Sequence, residues 1–149
     1  MLITPAMKYE RVYAIWDLYD GVRTGVADLN GAPHYFASQF DEGQDLYSDN
    51  FKLYPVSAEF VDRTLRHWAI FRAWELQFHN DKVAIETHPG HGGVNREYDD
   101  LKSWLDQKVG QLEALPTLFR VKFRALPGQE ALPQGVLREL EAAWSPSSV

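Results

Sequence analysis

The chain has 149 residues and no cysteine. That absence removes disulfides, thiolate zinc sites, iron–sulfur clusters and cysteine nucleophiles together. Long hydrophobic runs are missing as well. The longest, Val12–Trp16, is far short of the roughly 20 residues that a membrane helix needs. The opening MLITPAMKYE lacks the basic and apolar regions of a secretory signal. Positive charge is in deficit: 15 Lys+Arg against 21 Asp+Glu give a net charge of −6, which weighs against nonspecific nucleic-acid binding. No Walker loop, GxGxxG or GxSxG occurs, so the commonest nucleotide sites and serine hydrolases are excluded. These absences predict a cytoplasmic protein, with no nucleic acid, membrane, metal or cofactor expected.

What remains is an ordinary globular composition, 45% hydrophobic and 24% charged. Folding at this size buries roughly 68–70% of the surface, enough for one core. A single α+β domain over residues 1–149 is expected, frayed at about 1–7 and 145–149.

The first forty residues read as hairpins. Asp20-Gly21 and Asn30-Gly31 favour positive φ at the tips of two-residue loops. They predict an antiparallel β-meander of about 13–19, 22–29 and 32–40. Leu29 then pairs with Ala32 and Gly25 lies opposite Phe36; Tyr19 pairs with Val22, which sets Gly25 opposite Trp16. Ala14, Trp16, Arg23, Gly25, Ala27, His34 and Phe36 would share one face. Neither face is cleanly apolar, so the pattern leaves open which is buried. Residues 41–50 are acidic and polar and read as a loop, without the spacing of a calcium site. A short fourth strand spans about 51–56.

From Ser57, a good N-cap, the period becomes helical. Phe60, Val61, Leu65, Trp68, Phe71, Trp74 and Phe78 fall on one arc, which predicts a helix to about His79. The glycine-rich Thr87–Gly93 segment interrupts regular structure. Asn95 caps a second helix that carries Tyr98, Leu101, Trp104, Leu105 and Leu112. Phe119, Val121 and Phe123 alternate with Arg120, Lys122 and Arg124, which predicts one additional strand, its basic stripe protecting an edge. Leu137, Leu140 and Trp144 fit a last short helix. Meander, additional strand, two main helices and short C-terminal helix make up the expected fold.

Three clusters could carry chemistry. Glu75 falls on the inward arc beside Trp74, and a carboxylate there needs a partner, because an unpaired buried charge costs several kcal/mol. Arg72 and His79 are within helical reach; the choices are an internal ion pair, a polar pocket lining, or a metal pair that lacks the HExxH pattern. His88 sits in the glycine-rich loop, where His34 could join it by folding, although too few ligands are evident for a closed metal site. Around the first turn, Trp16, Tyr19, Asp20 and Arg23 gather rings, a carboxylate and a guanidinium that could clamp a small anion. A protein carboxylate, from Asp20, Asp28 or Glu75, is expected to hold Arg23.

The patterns Tyr19-Asp20-Gly21-x-Arg23-x-Gly25-x-Ala27-Asp28, Gly31-x-Pro33-His34, Trp68-x5-Trp74-Glu75-x2-Phe78-His79 and Thr87-His88-Pro89 together resemble a family of small bacterial proteins with no established activity. The similarity covers roughly residues 13–90. It implies that these motifs belong together, and that the first turn is a longer loop, because the family is expected to carry proline where this chain has Val22.

These features support three functional expectations. The first is a cytoplasmic bacterial ligand-binding or regulatory domain, its polar-aromatic pocket where hairpin, long helix and His88 loop meet. The second is a small hydrolase or transferase using His79 or His88 with Glu75 or Asp20. The third is a protein-interaction module such as an antitoxin or immunity protein.

Overall fold

The computed structural model describes residues 8–18 and 20–147. The expected fray at 1–7 and the candidate residue Tyr19 lie outside the described residues. Among the described residues, six antiparallel strands close into a barrel in chain order: β1 Glu10–Leu18, β2 Val22–Leu29, β3 Ala32–Asp41, β4 Leu46–Pro55, β5 Phe119–Ala125 and β6 Leu140–Pro146. Two helices, α1 Ala58–His79 and α2 Arg96–Val109, lie between β4 and β5 in sequence. The class is therefore α+β, but the meander is closed rather than open.

Closure comes from the segment expected to be the C-terminal helix, which is instead β6. It pairs with β5 along its whole length, from Phe119–Pro146 to Ala125–Leu140, and with β1 through Glu10–Ala142 and Arg11–Glu141. Leu140, Ala142 and Trp144 turn inward at a period of two, the spacing of a strand. Where the chain was expected to fray from 145, Ser145 and Pro146 pair with Arg120 and Phe119; residues 148–149 lie outside the described residues. The opposite junction is narrow, with β4 meeting β5 at Phe51–Phe119.

The β2–β3 hairpin has the expected register, with Leu29 opposite Ala32 and Gly25 opposite Phe36. Asn30 and Gly31 both have positive φ at its tip, as a tight two-residue turn requires. The β1–β2 register differs. Val22 pairs with Leu18, where Tyr19 was expected, and Ile15 faces Gly25. Register shifts fall between Val12 and Ala14 and between Ile15 and Asp17, so Tyr13 and Trp16 are extra residues on β1. Each bulge re-aims the side chains beyond it. Ala14 and Ile15 both reach the core that holds Phe36, while Trp16 packs against that core and also against a second one around Val26 and Phe60. The expected loop at 41–50 is also mostly strand, with a turn at 42–45.

Phe36 is fully buried at the centre of the barrel, its ring 5.4–5.9 Å from those of Phe51, Phe123 and Trp144. Burying such a ring contributes about 1.5–3 kcal/mol. Gly25 makes room for it: a Cβ there would lie 2.7 Å from the Phe36 ring and would run into the Ala14 carbonyl oxygen.

Both helices begin as expected. Ser57 Oγ accepts from the Phe60 amide at 3.1 Å, and Asn95 Oδ1 from the Tyr98 amide at 2.9 Å. Trp68 of α1 joins the barrel core. Phe60 meets Val26 of β2 and Leu105 of α2 in a second core on the outer face of the sheet. Among the described residues no helix is long and apolar enough to cross a membrane.

Candidate functional site

The two helices do not seal completely against the sheet. A cavity of about 390 Å³ opens between β1–β3, α1, α2 and the 3₁₀ turn that begins at Pro89. Trp16, Tyr35, Trp68, Phe71, His88 and Tyr98 give it aromatic walls, with Ile15, Leu105, Val109 and Leu137 between them. The bulge in β1 places Trp16 here, its ring 5.7 Å from Tyr35 and 6.1 Å from Phe60. Charge appears as Asp17, Lys102 and Asp106. Asp17 accepts from Thr24 Oγ1 at 2.7 Å, and Lys102 pairs with Asp106 at 2.7 Å.

His67 is the unusual wall residue. Helical geometry sets Thr64, His67, Trp68, Phe71 and Glu75 on the inner side of α1, and all but Phe71 are buried. The His67 imidazole stacks on Tyr98 with centroids 4.1 Å apart and meets the edge of Trp16 at 6.5 Å. It is only 8% exposed, and among the described residues neither ring nitrogen has a hydrogen-bond partner. Burial, aided by the field of Lys102, pulls its pKa down from 6.5 to about 4, so the ring is neutral at pH 7. Among the described residues, Trp16 Nε1 and Thr64 Oγ1 nearby are also buried without partners, as is Trp144 Nε1 within the barrel. Buried polar atoms are nearly always satisfied in native proteins, so a cluster of orphans beside a cavity marks a place where stability yields to another requirement.

Some of the residues predicted from sequence converge here. Trp16 and His88 line the cavity. His88 packs on Trp74 at 4.4 Å and Phe71 at 5.7 Å, with His91 stacked 5.2 Å away. Its Nδ1 accepts from the Gly90 amide, and burial, then the neighbouring His91, lowers its pKa. Trp74 donates its indole N–H to Thr87, fastening the loop to α1. Glu75 stands behind the cavity. It is 3% exposed, with Oε1 on Arg72 at 2.5 Å and Oε2 accepting from the Leu137 amide at 2.9 Å. Arg72 also reaches Glu139, which accepts from Trp68 Nε1. The buried carboxylate is therefore paired and ties the segment before β6 to the helix.

Others lie apart from the cavity lining. His79 ends α1 against Phe78, its ring close to Gly135. His34 is buried on β3, with Nδ1 against the Ala32 carbonyl, rather than joined to His88. Asp20 is exposed at the first hairpin tip. Arg23 donates to the Asp20 backbone carbonyl at 2.6 Å and sits over the Tyr47 ring. Of the other two carboxylates expected to hold it, Asp28 accepts from Tyr13 and Glu75 is engaged by Arg72.

His67, Tyr35, Lys102 and Asp106 line the cavity without being among the candidate residues expected from the sequence. A signal for His67 was present, since Thr64 and His67 fall in the middle of the arc that Phe60, Trp68 and Phe71 define. No known protein family, curated protein or solved structure matches this chain.

Proposed function

We propose that this chain is a cytoplasmic bacterial ligand-binding or regulatory domain, and that it holds a small planar organic molecule in the cavity beneath α1 and α2. The supporting observation is a cavity of about 390 Å³ with aromatic walls and a neutral, unpartnered, buried histidine. Its size falls within the roughly 300–1,000 Å³ of small-molecule sites, and mostly apolar walls with a few polar groups are the usual make-up. An unsatisfied buried donor costs about 1–3 kcal/mol, a cost that pure architecture would remove with an apolar residue.

The acid–base alternative has less support. Both Glu75 oxygens are engaged by Arg72 and the Leu137 amide, and His88 Nδ1 by Gly90. An interaction module of the antitoxin or immunity kind would use exposed Leu18, Phe40 and Leu46 at one end of the barrel, but that leaves the cavity without a role.

The test is a thermal-shift and tryptophan-fluorescence screen against mono- and bicyclic aromatic fragments, run beside a cavity-filling Val109→Phe variant. Fragments should stabilise the wild type and leave the filled variant unmoved. A wild type that responds to none of them, or a filled variant that responds equally, overturns the reading.

A further inference from the structure

Resting on that small-molecule reading, we propose that the cavity selects a cationic aromatic ligand, an arylalkylamine, over neutral or anionic molecules with the same ring. The charges on its lining are unequal. Asp17 and Asp106 supply two carboxylates against the single ammonium of Lys102. Lys102 is already bound to Asp106, whereas Asp17 is held by a neutral hydroxyl, that of Thr24, and forms no ion pair among the described residues. One negative charge is therefore left over. The wall histidines His67 and His88, both with lowered pKa values, do not offset it near pH 7.

The walls suit the same ligand. Trp16, Tyr35, Trp68, Phe71 and Tyr98 surround the space, and the faces of such rings attract cations while their bodies accept an apolar ring. The negative field is also felt by neighbouring groups. Burial, then Asp17, Tyr54 and Asp106, pushes the Tyr35 phenol up to about 12. Lys102 is raised chiefly by its hydrogen bond to Asp106, with the field of Asp17 adding to it. An anion entering beside Asp17 meets repulsion that the paired Lys102 only partly offsets. The guanidinium that suggested an anionic ligand, Arg23, does not line this cavity.

The experiment uses rings of fixed shape and changing charge: tryptamine, tryptophol and indole-3-acetate, then phenethylamine, phenethyl alcohol and phenylacetate. Affinities are measured by calorimetry at low salt and at about 0.5 M, where the screening length is roughly 4 Å. The amines should bind about ten-fold tighter than the alcohols and the carboxylates weakest, with the spread shrinking in salt. Asp17→Asn, which keeps an acceptor for Thr24, should bring amine and alcohol within about two-fold of each other. Equal affinities, or a carboxylate binding best, overturn the charge preference and leave the ligand reading standing. An undiminished amine preference in Asp17→Asn overturns the role given to Asp17. No binding by any of the six overturns both readings.

Discussion

Replacing His67 with phenylalanine should make this protein more stable, and increasingly so as the pH falls. The imidazole is buried, stacked on Tyr98, and its nitrogens lack partners among the described residues. At pH 7 removal of an unsatisfied donor returns part of a penalty of about 1–3 kcal/mol, less some overpacking, for a gain of roughly 1 kcal/mol. Below pH 7 a second effect adds to it. The folded pKa is depressed to about 4 from 6.5, so the unfolded chain takes up a proton that the native chain refuses. Stability from the neutral ring is complete above 6.5 and is lost as pH falls from there toward 4. Between pH 7 and pH 5 the linkage amounts to about 2 kcal/mol at most, and nearer 1 once solvent at the cavity mouth is allowed for. Urea unfolding of wild type and His67→Phe, followed by circular dichroism at pH 7, 6 and 5, measures it. The lowered pKa of His88 is present in both proteins and cancels in the difference. A stability gap that stays constant from pH 7 to pH 5 would refute the reasoning, because a partnered or solvated His67 has no such linkage.

Two further perturbations probe the frame around the cavity. Glu75→Ala leaves Arg72 without its closest partner and the Leu137 amide without an acceptor, so it should destabilise by on the order of 3–5 kcal/mol; a melting curve like that of wild type would remove the pair from the structural core. Gly25→Ala drives a methyl group into the Ala14 carbonyl oxygen and the Phe36 ring, and the backbone clash should cost about 3 kcal/mol; an unchanged denaturation midpoint would mean that the β1 bulge can yield.

Local chemistry was legible in the sequence, and long-range chemistry was not. Asn30-Gly31 set the β2–β3 register because a two-residue turn leaves no freedom. Ser57 and Asn95 marked both helix starts because a cap is a contact three residues long. β1 failed, since an extra residue at Tyr13 or Trp16 has no signature in the alternation it interrupts. β6 failed for another reason. Leu137, Leu140 and Trp144 fit a helix in isolation, and the choice of strand is made by β5 and β1, which offer paired edges from distant parts of the chain. The site was half visible. Trp16, His88 and Glu75 declared themselves as polar or aromatic groups in motifs, but His67 was hidden by counting only apolar positions on α1. Tyr35, Lys102 and Asp106 join the hairpin residues Trp16 and Asp17 through the fold, and no spacing within the chain connects them.

The barrel's closing seam has a consequence for how the chain reaches its native state. Glu10 and Arg11 find their partners at Ala142 and Glu141, so closure joins regions separated by almost all of the intervening fold. During synthesis β1–β4 emerge first and can assemble as a meander, with both helices coming after. Until the β5–β6 ribbon arrives, β1 and β4 each present an unpaired edge, and the Phe36 ring lacks Phe123 and Trp144 as its cover. Contacts of such high sequence separation form slowly, and exposed strand edges recruit other chains. The seam therefore sets a window of vulnerability during biogenesis, when crowding and chaperone access, more than equilibrium stability, decide how much protein arrives folded.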